Sequence, residues 1–391
     1  MLENAATNDD KKATTLIVVL FSIYLVFCGA KPGLFSALYA LCFVLLLYFE
    51  RTFIIEVWGK FKYLFIFLLI FSFMNICFSY LPKNSIRGWY DFYRGAFVIF
   101  PALYVSSTKL QENFLHINKY IVSVGYVILA LCSILHCIDR MPDAIVYLFG
   151  HYNNIGTVFS IIALIISSFY FSKKALKYSF WHFLFLLTSV LIVFATGSRG
   201  SLLAYSVALT VMFLMDTRIT FKKIALTIMA FVLVILPMQF LPQKANGFLK
   251  IFRWSSSGRF DLYSASISSM YEKSPFFGFG ADTFKNLDYG QGIVWFETSH
   301  PHSIYVEILF STGIVGAIIL TLIFTIFIYR NRPASVDSLF GSFGLVFVVF
   351  LLTRGSVDHS FFDRDFSSYF FVGFSYMLFS GVEFKTQIGQ V

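Results

Sequence analysis

The chain of 391 residues is 58% hydrophobic and 20% aromatic, with 51 phenylalanines. Only 13% is charged, about half of the roughly 25% usual in soluble domains, and a bilayer solvates so much apolar surface where a water-soluble core has no room for it. The net charge of +9 does not signal nucleic acid, because the basic residues come in twos and threes between apolar runs and not on one face.

In chain order, apolar runs long enough to span, or nearly so, fall at 14–30, 33–49, 62–81, 92–107, 117–138, 155–172, 178–196, 200–215, 224–241, 303–329, 338–353 and 366–381. They predict an all-α polytopic integral membrane protein of about 12 transmembrane helices. Lys11 and Lys12 precede the first run, and the second follows almost at once, so the first is an uncleaved anchor and not a signal peptide. With the N-terminus cytoplasmic, that side receives Lys11, Lys12, Arg51, Lys60, Lys62, Lys109, Lys119, Lys173, Lys174, Lys177, Arg218, Lys222, Lys223, Arg330, Arg332 and Lys385, sixteen of the 30 Lys and Arg. Six of the other fourteen lie in the long segment 242–302, which weighs little in orientation, so sixteen stand against eight. Both termini are expected in the cytoplasm. The domains are helices 1–9 over 1–241, an outer loop with an amphipathic helix over 242–302, and helices 10–12 over 303–391. Cys28, Cys42, Cys77, Cys132 and Cys137 all fall in predicted spans and read as small buried apolar residues, with no metal or redox spacing.

Three features on the outer side carry chemistry. Thr196-Gly197-Ser198-Arg199-Gly200-Ser201 forms a tight turn between spans seven and eight, where an arginine flanked by glycines suits an anion at the lipid surface. Gly258-Arg259 opens the amphipathic helix, with Ser256 or Ser257 as cap, Phe260, Tyr263, Ile267 and Met270 at helical spacing, and Ser274-Pro275 as its end. A cation at a helix start is unfavourable unless an anion joins it, and then free N–H groups and guanidinium share the load. A Gly278-Phe279-Gly280 turn follows. Then Ser299-His300-Pro301-His302-Ser303 leads into span ten, where the helix start disfavours an added positive charge and leaves an imidazole able to accept a proton. His151, Asn153 and Asn154, in another outer turn, are further candidates for substrate contact.

The order of these motifs, with Gly313-Ile314-Val315-Gly316 in the helix that follows, resembles the O-antigen ligase family from residue 150 or so to the end. The resemblance maps the family's two essential arginines to Arg199 and Arg259 and its essential histidine to His302. Ser303 stands where many relatives have asparagine. It implies a GT-C-type membrane glycosyltransferase at the periplasmic face of the bacterial inner membrane, without cofactor. Its donor is an undecaprenyl-pyrophosphate-linked glycan, its acceptor lipid A–core, and its surroundings membrane lipids. His302, Arg199 and Arg259 are the expected catalytic residues, and Arg199, Arg259, His300, Ser303, Arg354 and Asn154 the expected substrate contacts. The chemistry agrees: guanidinium forks suit phosphate oxygens, and an imidazole can take the proton of an attacking sugar hydroxyl. Trp254, Phe260, Trp295 and Phe296 suit sugar stacking and lipid contact equally.

No metal is expected. Pro301 favours extended backbone, where His300 and His302 would point to opposite faces. Asp363-Arg364-Asp365 has the D-x-D form that holds a cation in other glycosyltransferases, but reads here as a solvated cluster with Arg354, Asp358 and His359. Glu307, about 140° around the helix from His302, does not orient it. The alternatives are an O-antigen polymerase, more distantly a protein O-oligosaccharyltransferase, and, outside the enzymes, a lipid-linked oligosaccharide flippase or other transporter. A transporter calls for mid-membrane charges or broken helices, and the sequence shows no mid-span charge.

Overall fold

The computed structural model describes residues 8–27, 32–106, 152–171, 193, 198–215, 259–286, 300–330, 339–358 and 360–379. Among them there are helices and no strands. The helices are α1 (Asn8–Phe27), α2 (Pro32–Phe49), α3 (Arg51–Cys77), α4 (Pro82–Ala96), α5 (Ile99–Ser106), α6 (Tyr152–Phe171), α7 (Arg199–Met215), α8 (Arg259–Lys273), α9 (Ile304–Arg330), α10 (Leu339–Asp358) and α11 (Arg364–Phe379), with a short 3-10 turn at Phe284–Asn286. The centre is α6, α7, α10 and α11 packed together. α4 and α5 lie on α11, α1 and α2 pair beside α5, and α9 sits between α3 and α10 with α8 against it.

Several of these helices are apolar on both faces. In α3, Phe61, Leu64, Phe65, Leu68 and Phe71 point into the bundle, while Ile66, Phe67, Leu69, Ile70 and Phe73 are exposed. α9 exposes Ile314, Ile318, Leu322 and Ile326, one per turn. Water does not tolerate so continuous an apolar exterior and hydrocarbon does, so the chain has membrane character. Among the described residues, Ile304–Ile326, 23 residues with a mean hydropathy that reaches 2.3, is long and apolar enough by itself to cross a bilayer. Shorter apolar helices lie at Lys12–Leu25, Ile155–Ile165, Gly200–Met212 and Phe343–Ser356.

Three expectations need correction. Residues 50–61 are not a loop: α3 begins at Arg51, so Lys60 and Lys62 ride within it, and α2 meets α3 through a bend of 110°. Long lysine stems lie along apolar surface while the charged head escapes it, and Lys62 Nζ sits 5.0 Å over the Tyr63 ring. The run at 92–107 is not one span. Its first residues belong to α4, an amphipathic helix that starts at Pro82, and α5 follows after Phe97 and Val98. Cys42 is buried, but Cys77, the last residue of α3, is exposed. The runs at 117–138, 178–196 (Val193 apart) and 224–241 lie outside the described residues, as do His151, Cys28, Cys132, Cys137 and loop residues 242–258 and 287–299.

One end of the bundle gathers the informative residues. α3 and α10 end there, and α6, α7, α9 and α11 begin there. α4 crosses the first turn of α11: a Cβ on Gly95 would stand 2.8 Å from both Arg364 O and Ser368 N. Beside that crossing, Trp89 and Phe92 meet Phe361, Phe362 and Phe371 at ring distances of 5.1–5.5 Å.

Candidate functional site

The first structure at this end is a seam between a loop and a broken helix. Gly313 adopts φ 67, which interrupts α9 nine residues from its start. A break strands carbonyls on one side and N–H groups on the other. Here the 275–280 segment satisfies both: Phe279 N and Gly280 N donate to Phe310 O and Ser311 O at 2.9 Å each, and Ile314 N and Val315 N donate to Pro275 O and Phe276 O at 2.9 and 3.2 Å. The approach needs glycine on both sides. A Cβ on Gly278, itself at φ 69, would lie 2.5 Å from Gly313 N, and one on Gly313 would strike the Phe276 carbonyl. The apolar run at 303–329, which reads as one span, is thus broken at Gly313, because only the partner segment shows what the first glycine of the G-x-x-G pattern is for.

Side chains from α3 and α4 lock the seam. Asn75 Nδ2 donates to Ser311 O (2.9 Å) and Phe277 O (3.4 Å), while its Oδ1 accepts from Trp89 Nε1 (2.9 Å) and Ser85 Oγ (3.3 Å). Ser85 Oγ in turn accepts from Ala281 N at 3.2 Å. A fully used amide buried at 4% exposure is specific positioning. No motif in the sequence marked it, since the two carbonyls it holds are 202 and 236 positions away.

The second structure is the histidine corner. α8 runs from Arg259 to Lys273, the bounds its sequence predicts, but Leu262, Ser266 and Met270 make its buried stripe, while Phe260 and Ile267 are exposed. Tyr263, one turn after Arg259, is half-buried, and its hydroxyl is directed at His302 O (3.2 Å) and Ser356 O (3.5 Å). It joins α8, the histidine loop and the end of α10. His302 sits at φ 55, a left-handed conformation that a non-glycine residue enters at roughly 1–3 kcal/mol and that needs its surroundings to hold it. This φ removes the extended backbone expected around Pro301. Instead of pointing apart, the His300 and His302 rings are 4.7 Å apart between centroids. The geometric reason against a shared ion falls with it, although among the described residues no third His, Cys, Asp or Glu joins them. Both residues are partly exposed, although His300 Nε2 is itself buried.

The third structure is a polar thread through the bundle. Arg354, expected in a surface cluster beside Asp363, is instead fully buried in α10. Its Nε donates to Thr157 Oγ1 of α6 at 3.2 Å. Thr157 lies 3.4 Å from Ser201 Oγ, and Ser201 2.8 Å from Ser198 Oγ, the residue before Arg199. Gly355, next to Arg354, packs directly on Ile304, two residues after His302. Asp363 remains exposed before α11.

The structure therefore brings His300, His302, Ser303, Arg354 and, through Tyr263, the start of α8 at Arg259 to one corner. Arg199 opens α7 beside Ser201, and Asn154 lies in the first turn of α6, three residues before Thr157. The side chains of Arg199 and Asn154 lie outside the described residues, as do Trp254, Trp295 and Phe296. Ser303 is buried and its carbonyl accepts from Glu307 N at 2.9 Å. Glu307 accepts from Ser360 Oγ (2.7 Å) and Phe361 N (2.5 Å), so it pins α9 to the turn before α11. Both of these partners lie in the turn before α11 and not in the histidine loop. Sequence reasoning missed Tyr263 as a joint, and Asn75, Thr157 and Ser201 altogether.

Residues 183–321 match the family model described as O-antigen ligase. No curated protein matches the chain. The matched segment contains the Arg199 turn, α8, the seam and His302, and ends before α10 with its Arg354.

Proposed function

We propose, for a chain that carries the O-antigen ligase domain over residues 183–321, that it transfers undecaprenyl-pyrophosphate-linked O-polysaccharide to lipid A–core at the periplasmic face of the bacterial inner membrane. In this reading about 12 helices span the bilayer, both termini are cytoplasmic, the architecture is GT-C-type, and 242–302 is the periplasmic loop. The observation that carries it is the corner where one hydroxyl on the Arg259 helix holds the carbonyl of a left-handed His302.

His302 takes the proton from the acceptor hydroxyl as its oxygen attacks the anomeric carbon. The glycosidic bond to pyrophosphate breaks on the opposite face, and the charge growing on the leaving group falls to Arg199 and Arg259. General-base help of this kind is typically about 10²–10⁴-fold. Arg354 supports the Arg199 turn through Thr157 and Ser201, and His300, Ser303 and Asn154 contact substrate. The mechanism uses no metal. The flippase reading loses support at the seam, because the groups a broken helix would offer to an ion are bonded to the loop backbone.

The test is replacement of Arg199, Arg259 and His302 by alanine, one at a time. Each is expected to abolish transfer with membrane abundance near normal, and His300→Ala to reduce it less. Activity should persist in excess chelator; loss there, restored by zinc or manganese, would point to an ion between the two histidines. A null mutant should accumulate long polymerised chains on undecaprenyl pyrophosphate beside bare lipid A–core. A single repeat unit on core would identify a polymerase.

A further inference from the structure

The exposed face of α4 belongs to none of the chemistry above. Its buried side, Ser85, Gly88, Trp89, Phe92, Gly95 and Ala96, is fixed against α11 and the seam. At 100° per residue the opposite side divides into two parallel stripes. Lys83, Arg87 and Arg94 fall within about 40° of one another, and Ile86, Tyr90 and Phe97 occupy the adjacent 40° or so. The apolar three are exposed by 55%, 59% and 41%. Lys83 and Arg87 are exposed as well, and Arg94 is partly so.

Local anions neutralise this face only in part. Arg94 pairs with Asp91 at 3.5 Å and lies 5.3 Å over the Tyr90 ring. Arg87 feels Asp282, which Lys285 also approaches at 4.0 Å. Lys83 has no ion pair among the described residues, so one acidic residue of α4 faces three basic ones. Water suits the cations but not the apolar stripe, and hydrocarbon the reverse. The headgroup layer of a bilayer suits both, the phosphates meeting the cations while the aromatics reach the acyl boundary. The site is also preorganised. Gly88 abuts Ala281, Asn84 Nδ2 donates to Asp282 O at 3.4 Å, and Ser85 holds Ala281 N.

We propose that the outward face of α4 is a binding site for the phosphate headgroup of an anionic phospholipid, with Lys83 and Arg87 as its principal cations and Ile86 and Tyr90 against the acyl chain. It rests on the membrane character of the fold and not on the ligase reading, so either can fail without the other.

The full chain, reconstituted in phosphatidylcholine nanodiscs with a minority of phosphatidylglycerol, is transferred to detergent, and the retained lipids are quantified by mass spectrometry. Wild type should retain phosphatidylglycerol several-fold above its share, and less of it as salt is raised. Lys83→Gln with Arg87→Gln should remove most of that enrichment, Lys83→Arg with Arg87→Lys should keep it, and Lys273→Gln on α8 should leave it unchanged. Equal enrichment in wild type and the glutamine variant overturns the proposal, as does enrichment indifferent to salt. Complete displacement by millimolar inorganic phosphate would reveal a site for free phosphate, and selective retention of a phosphorylated glycolipid in place of phosphatidylglycerol a site for that lipid; either overturns it too. Should the glutamine variant not fold, the salt series on wild type decides.

Discussion

The corner at His302 lies two residues before α9 and the seam at Gly313 within it, eleven residues further on, and the two are built on opposite principles. At the seam, main chain meets main chain: four backbone hydrogen bonds fill a helix break, and glycines on both sides permit the approach. At the corner, side chains carry the arrangement: a tyrosine hydroxyl on a strained histidine's carbonyl, and a buried guanidinium threaded through threonine and serines. Backbone seams tolerate no side chain but are indifferent to chemistry. Side-chain corners tolerate small changes of shape but depend on particular donors. The difference is what places a reactive group on a fixed frame.

The sharpest attack on this contrast is Gly313→Ala. A Cβ there strikes the Phe276 main chain, which cannot rotate aside, and the backbone at φ 67, ψ −175 is one that essentially only glycine adopts, at a cost to alanine of about 1–3 kcal/mol. Losing the four seam bonds at about 1 kcal/mol each would bring the total to several kcal/mol. Membrane abundance should fall at least tenfold, roughly what 1.4 kcal/mol accomplishes in a marginal fold. Gly59→Ala, whose Cβ meets nothing within 4 Å, is the control and should express normally. Normal expression of Gly313→Ala would mean the seam is dispensable.

Arg354→Lys comes next and probes the corner. Lysine keeps the charge but lacks the Nε–H that reaches Thr157. A hydrogen bond from a charged donor is worth about 1.5–3 kcal/mol, so transfer per molecule should drop by about ten- to a hundredfold, and Arg354→Ala should do no better. Near-normal transfer by the lysine variant would sever Arg354 from the Arg199 turn.

Tyr263→Phe should be milder. The ring keeps its packing and only the hydroxyl leaves, so abundance should hold while transfer falls by about three- to tenfold, the equivalent of roughly 1 kcal/mol. Loss of abundance without loss of specific transfer would make the tyrosine a structural prop and not a positioning residue.

These regions also differ in how far the sequence discloses them. α8 was legible to its ends, because a chain of local signals, Gly258 before it and Ser274-Pro275 after it, is enough to bound a helix. The G-x-G turn and the histidine motif were legible as places but not as geometries. Nothing local says that Gly313 is left-handed, since that conformation exists only because Pro275 and Phe276 bond across the break. The same holds for His302: Pro301 favours extended backbone, and the turn that overrides it is held by Tyr263, 39 positions earlier. Arg354 reads as a surface charge near the end of an apolar run, and its burial is met in part by Thr157, 197 positions away. Lys60 and Lys62 read as a loop because charge usually ends a span, although long side chains let a helix carry them. α4 was lost to a similar rule, its apolar half being joined to the run that follows it.

The smallest effect is expected at Asp282, where the seam meets α4. Burial pushes its carboxyl above the usual aspartate range, while Lys285 and Arg87 pull it down without cancelling the shift and Asp91 adds to it. A raised value means the fold prefers the protonated acid to the anion. The stabilisation is therefore present below the ordinary aspartate range and lost as pH rises through the folded value. At pH 7 the ionised group opposes folding. Asp282→Asn removes that charge, and asparagine accepts the φ of 50 at this position as readily as aspartate. The variant should melt slightly above wild type at pH 7, and the gap should close as pH is lowered toward 4 or so, where aspartates begin to protonate. A lower melting point at pH 7 would show instead that the pull of Lys285 and Arg87 outweighs burial, and that this end of the seam is held by charge as the corner is, not by backbone alone.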